Sequence, residues 1–82
     1  MKPIIFSEHA VYSMIKRGIF EEEARFVLEN PDYARNSFDN RKLVTKDIVK
    51  GKLTVVFIEK EKYINVITAY YEDEGEKNEN DL

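Results

Sequence analysis

The sequence predicts an α+β fold of order β-α-α-β-β-β, a helical hairpin packed on one face of a twisted antiparallel sheet. Three observations lead there. The chain has 82 residues, enough for one small domain. Two capped segments with a helical apolar period lie between residues 7 and 31. Runs rich in β-branched and aromatic residues, separated by short charged turns, fill residues 42–71.

The first element is the apolar run Ile4-Ile5-Phe6, a short strand. Ser7 follows it as an N-cap, because its hydroxyl can accept an orphan helix N–H. Glu8 suits the positive end of the helix dipole, and Lys16-Arg17 suit the negative end. Ala10, Val11, Met14 and Ile15 form the expected buried face, with His9, Tyr12, Ser13 and Lys16 on the other. Gly18 is the expected left-handed stop.

The second helix opens with Glu21-Glu22-Glu23 and carries the stripe Phe20, Ala24, Val27, Leu28. Asn30-Pro31 ends it, since a residue before proline is driven out of the α region. Phe26 lies opposite that stripe and is a candidate partner contact; cover by neighbouring structure is the alternative. Asn36 to Asn40 reads as loop. Lys42–Val49, Leu53–Glu59 and Tyr63–Tyr71 read as three strands of a meander. Leu53-Thr54-Val55-Val56-Phe57-Ile58 is nearly continuously apolar, as a central strand covered on both faces would be. The domain is therefore expected to span 1–71, with 72–82 as an acidic, disordered tail.

Composition narrows the function classes. No cysteine is present, so disulfides and thiolate metal sites are excluded, and one histidine makes a zinc site unexpected. No glycine-rich phosphate loop or nucleophile elbow occurs, and no cofactor is expected. No apolar run approaches the ~20 residues that span a bilayer, and the amino terminus lacks a signal-peptide pattern. A soluble cytoplasmic protein is the expectation. Absence of Gln, Cys and Trp beside abundant Lys and Glu is a bias common in hyperthermophile proteins.

The formal charge of −3 conceals a division. Residues 72–82 hold six acids and one lysine, whereas residues 1–71 hold twelve Lys/Arg against ten Asp/Glu. Arg35, Arg41, Lys42, Lys46, Lys50 and Lys52 concentrate in the middle of that body. Such a field can attract phosphates, and a solvated strand face would give the same count. The acidic tail could also lie in cis over these basic strands.

One imidazole, several cations and strand-end tyrosines can together support metal-free RNA cleavage. That reaction needs a base for the 2′-hydroxyl proton, cations for the phosphate charge and an acid for the leaving oxygen. The candidate catalytic residues are His9, Arg17 and Tyr70, with Tyr71 as an alternative for stacking or proton donation. Arg41, Lys46 and Lys52 are the candidate RNA-binding cations. His9 and Arg17 sit about 12 Å apart along one helix, so they would bracket an extended ligand. The structural alternatives are a solvated His9, an Arg17 that caps carbonyls, and tyrosines that pack the core rim.

Phe6-Ser7-Glu8-His9-Ala10, then Arg17-Gly18-Ile19 with three glutamates after Phe20, then Val27-Leu28-Glu29-Asn30-Pro31 resemble a small domain-of-unknown-function family of bacteria and archaea. The strand Val66-Ile67-Thr68-Ala69-Tyr70 fits that family's ending. In element order the family is similar to the RelE/ParE-like toxins and to the BrnT toxins placed near them. The resemblance implies the toxin half of a toxin–antitoxin pair, with a cognate antitoxin as partner. In the RelE branch it implies cleavage of mRNA, free or on the ribosome. By resemblance the family's histidine and arginine fall on His9 and Arg17. By element, RelE-type basic residues fall on Arg41 and Lys46, and the C-terminal tyrosine on Tyr70. RelE-type toxins are strongly basic, whereas this body is nearly neutral. A non-catalytic protein- or nucleic-acid-binding module on the same scaffold is therefore the second expectation.

Overall fold

A computed structural model describes residues 1–72. In chain order the elements are β1 (Ile4–Phe6), α1 (Glu8–Arg17), α2 (Glu21–Glu29), β2 (Tyr33–Asn36), β3 (Arg41–Ile48), β4 (Gly51–Glu59) and β5 (Ile64–Tyr71). The two helices and the three strong strands stand where periodicity puts them.

Local chemistry explains the helix ends. The Ala10 amide donates to the Ser7 hydroxyl at 3.0 Å, which caps α1. Gly18 takes a left-handed φ of 69°, and the Gly18 and Ile19 amides close back on Ile15 and Met14. At α2 the side-chain capping is one-sided: the Phe20 amide donates to the Glu23 carboxylate at 2.9 Å, and the Phe20 side chain has no acceptor to return the bond. Lys50 then ties the β3–β4 turn to this joint. Its ammonium donates to the Gly18 carbonyl, pairs with Glu23 at 3.1 Å and lies over the Phe20 ring.

Five strands form one sheet in the order β1-β5-β4-β3-β2. Strands β2 to β5 are antiparallel neighbours, but β1 runs parallel to β5, with Ile4 opposite Ile64. The sheet is mixed, not purely antiparallel. Periodicity identifies a strand; it does not name the partner. The strand β2 was also not expected. All four of its residues are exposed, so no apolar alternation marks it. It is held through β3, and Asp39 and Asn40 make the turn with left-handed backbone, which these residue types tolerate.

Both helices pack on the same face. Ala10, Met14, Ile19, Ala24, Val27 and Leu28 meet Val44, Leu53, Val55, Phe57, Val66 and Ala69 in one apolar cluster. Two expected faces need correction. On α1 the buried side is turned toward Ser13, 6% exposed, while Ile15 is 73% exposed. Burial of Ser13 is tolerated because its hydroxyl meets the Ala10 carbonyl and the Thr68 hydroxyl, each at 3.1 Å. On α2, Phe20 stands before the first turn and is 67% exposed, outside the stripe.

The central strand β4 is buried over Leu53–Phe57 on both faces. Leu53, Val55 and Phe57 join the helix cluster; Thr54 and Val56 alternate to the open face. In β5 the pairing steps from Thr68–Val56 to Val66–Phe57, so Ile67 is a bulge residue. Among the described residues no helix is long and apolar enough to cross a membrane. The expected disordered tail lies outside the described residues from position 73 onward. Its first member, Glu72, is described and belongs to the folded body.

Candidate functional site

The open face of the sheet holds a polar cluster at its centre. Thr45 and Thr54 are register partners on β3 and β4 and are almost fully buried. Their hydroxyl oxygens lie 2.7 Å apart. The Glu72 carboxylate folds over them: one oxygen, Oε2, is 2.6 Å from the Thr54 hydroxyl and 3.2 Å from that of Thr45. The Arg35 guanidinium on β2 donates to the same oxygen at 2.9 Å. Two hydroxyl protons serve three contacts, so the shortest distances assign a relay. Thr45 donates to Thr54, and Thr54 donates to Glu72.

Tyr70 is the register partner of Thr54 on β5. Burial holds its phenol above the ordinary range, and the charge of Glu72 adds to that; Arg35 and Arg17 pull the other way. One phenol thus feels a guanidinium from β2, another from α1 and a carboxylate from beyond β5.

Arg17 reaches this region from the sheet edge. Strand β1 covers β5 at Ile64–Val66, and farther along α1 meets the outer edge. There the Arg17 guanidinium donates to the Ala69 carbonyl at 3.0 Å and to the Thr68 hydroxyl at 3.3 Å. It caps a strand carbonyl, not one of its own helix. A groove of about 290 Å³ runs along α1, lined by His9, Tyr12, Ser13, Lys16 and Arg17. His9 is exposed there and has no hydrogen-bond or ion-pair partner among the described residues. Two helical turns separate it from Arg17, as its spacing predicts.

The remaining candidates are dispersed. Arg41 pairs with Ile58 and lines a separate groove of about 570 Å³ with Lys2, Lys42 and Lys60. It stands four residues from Thr45, about 13 Å along the strand. Lys52 alternates to the same face as Thr54, opposite Asp47. Lys46 does not share that face. It pairs in register with Leu53, binds Asp32 at 3.0 Å and lies 5.8 Å over the Phe26 ring. Phe26 is half exposed and lines an apolar groove of about 360 Å³ with Ile48, Val49 and the stem of Lys50.

The structure thus sets Arg17 on the β5 residues that precede Tyr70, puts His9 in an adjoining groove, and places Arg41 and Lys52 elsewhere on the open face. Sequence reasoning missed Arg35, Thr45, Thr54 and Glu72 as a group. The available signal was two threonines at the buried centre of strong strands, where a hydroxyl needs a partner.

The profile of a domain of unknown function, DUF4258, matches residues 6–71, and the chain belongs to that family. No curated protein and no solved structure matches it.

Proposed function

We propose that this domain is a toxin-like protein of a toxin–antitoxin pair, related to the RelE/ParE superfamily, and cuts single-stranded RNA without a metal. The observation that supports this reading is the end of β5, where Arg17 from α1 holds Thr68 and the Ala69 carbonyl on one side of Tyr70 and Arg35 from β2 holds Glu72 on the other. Two guanidinium groups there can offset the charge that builds on a phosphate under attack. The scissile step joins the 2′-oxygen to phosphorus, sends its proton to a base and returns a proton to the departing 5′-oxygen. An imidazole can serve in either role. His9 lies beside the path that a strand would follow along the α1 groove toward Arg17. Tyr70 offers a ring for stacking and a phenol for proton donation.

Expression of the intact chain is expected to arrest growth and shorten transcripts. Arg17→Ala and Tyr70→Phe are expected to relieve both at unchanged protein level, and His9→Ala to relieve them at least in part. Full toxicity in all three variants would sink the assignment. A second reading, a non-catalytic interaction module, is favoured by the groove at Phe26 and by the exposed outer strand β2. It predicts no RNA cleavage by purified protein and loss of partner binding in Phe26→Ser.

A further inference from the structure

Side chains from three strands converge on one oxygen: Arg35 and Thr54 donate to it, and Thr45 stands beside it while donating to Thr54. Arg35 on β2, Thr45 on β3 and Thr54 on β4 reach Glu72 Oε2 at 2.9, 3.2 and 2.6 Å. The donors are fixed by strand register, with Thr45 paired to Thr54 and Arg35 two positions along β2 from the partner of Thr45. The acceptor is not. Glu72 follows the last residue of β5, outside the strand pairing that holds the donors.

Vacated by Glu72, the cluster would leave the Arg35 guanidinium and the Thr54 hydroxyl without that acceptor, while Thr45 still donates to Thr54. Buried donors left in that way are costly, which favours recapture of an oxyanion. Tyr70 stands opposite Thr54, and Arg17 is within electrostatic reach, so the charge left behind is positive. A tetrahedral phosphate can set one oxygen where Oε2 now lies and turn the others toward solvent and Arg17. The Arg35 side chain is about half exposed and the Glu72 side chain 21% exposed, so the cluster meets solvent on the Arg35 side.

We propose that Arg35, Thr45 and Thr54 form a seat for one oxygen of a phosphate group, and that Glu72 is its built-in occupant, which a phosphate ligand must displace. The seat rests on the RNA reading only for the source of the phosphate. Glu72 then sets a threshold: apparent affinity is the intrinsic affinity reduced by the fraction of time the seat is open.

The test uses the full chain, with backbone amide shifts of Thr45 and Thr54 read during titration with inorganic phosphate and with chloride at matched ionic strength. Glu72→Ala is expected to bind phosphate about tenfold more tightly than the parent. Adding Arg35→Ala is expected to abolish the gain. A folded Glu72→Ala with parental phosphate affinity overturns the proposal, and so does a gain that survives Arg35→Ala. If Glu72→Ala does not fold, the parent decides: phosphate must move Thr54 and Glu72 ahead of other residues while chloride does not, and failure of that selectivity also overturns it. A short single-stranded oligouridylate assigns the source. Competition with phosphate identifies a nucleic-acid backbone. Phosphate binding without RNA binding keeps the seat and removes the ribonuclease reading.

Discussion

The two faces of the sheet are built on different terms. The covered face is apolar from α1 and α2 to Val44, Leu53, Val55 and Ala69, and its order comes from excluding water. The open face is ordered at its centre by four polar groups, Arg35, Thr45, Thr54 and Glu72, that satisfy one another. The first kind of order tolerates a change of shape and loses free energy with volume. The second depends on each member having its partner, so losing one strands the others. Adjacent residues of β4 sample both: Leu53 belongs to the covered face and Thr54 to the open one.

That pair supplies the largest expected effect. Leu53→Ala should cost about 2–5 kcal/mol in urea unfolding, because a fully buried side chain leaves a cavity. Thr54→Val, of nearly the same volume, should cost less, about 1–3 kcal/mol, because Glu72 loses its shortest donor and Thr45 its acceptor. A Thr54→Val cost equal to that of Leu53→Ala would erase the distinction between the faces. Next in size is the edge where the faces meet. Arg17→Ala removes the donor to the Ala69 carbonyl and should cost about 1–2 kcal/mol, with hydrogen exchange rising locally at the end of β5.

A smaller effect follows from pH. Asp32 lies below the ordinary carboxylate range because it accepts the Asp47 amide and binds Lys46. A lowered carboxyl contributes stability above its unfolded value and loses it as pH falls through the folded one. Thermal melts in the acid range should therefore fall more steeply for the parent than for Asp32→Asn, and parallel curves would show that Asp32 does not anchor β3. Smallest of all is Ile15→Ser, expected within about 0.5 kcal/mol of the parent because Ile15 faces solvent. A core-sized loss there would restore the face of α1 that simple periodicity predicts.

Legibility in the sequence follows the same division. Ser7, Gly18 and Pro31 mark the helix boundaries through backbone chemistry that acts within a few residues, and it is visible in the chain. The continuous run of β4 likewise announces a central strand. What escaped depends on distance in sequence. Strand β2 exists because Ala34 meets Val44, and nothing in Tyr33–Asn36 carries that information. Ser13 is buried because Thr68 waits across the seam. Glu72 looked like the first residue of a solvated acidic tail, since five of the ten residues after it are also acidic. Its role appears only when β2, β3 and β4 are side by side.

The parallel pairing of β1 with β5 has a consequence for how the molecule is made. Ile4 finds its partner at Ile64, and the Ile64 amide binds the Pro3 carbonyl, so the first strand synthesised waits for the last. Until then β1 lacks its β5 partner, and α1 has no β5 edge for Arg17 and Ser13 to hold. Contacts this distant in sequence slow folding. A polypeptide arrested before Ile64 would carry both helices and no finished sheet, so the domain becomes competent only once nearly all of it has emerged.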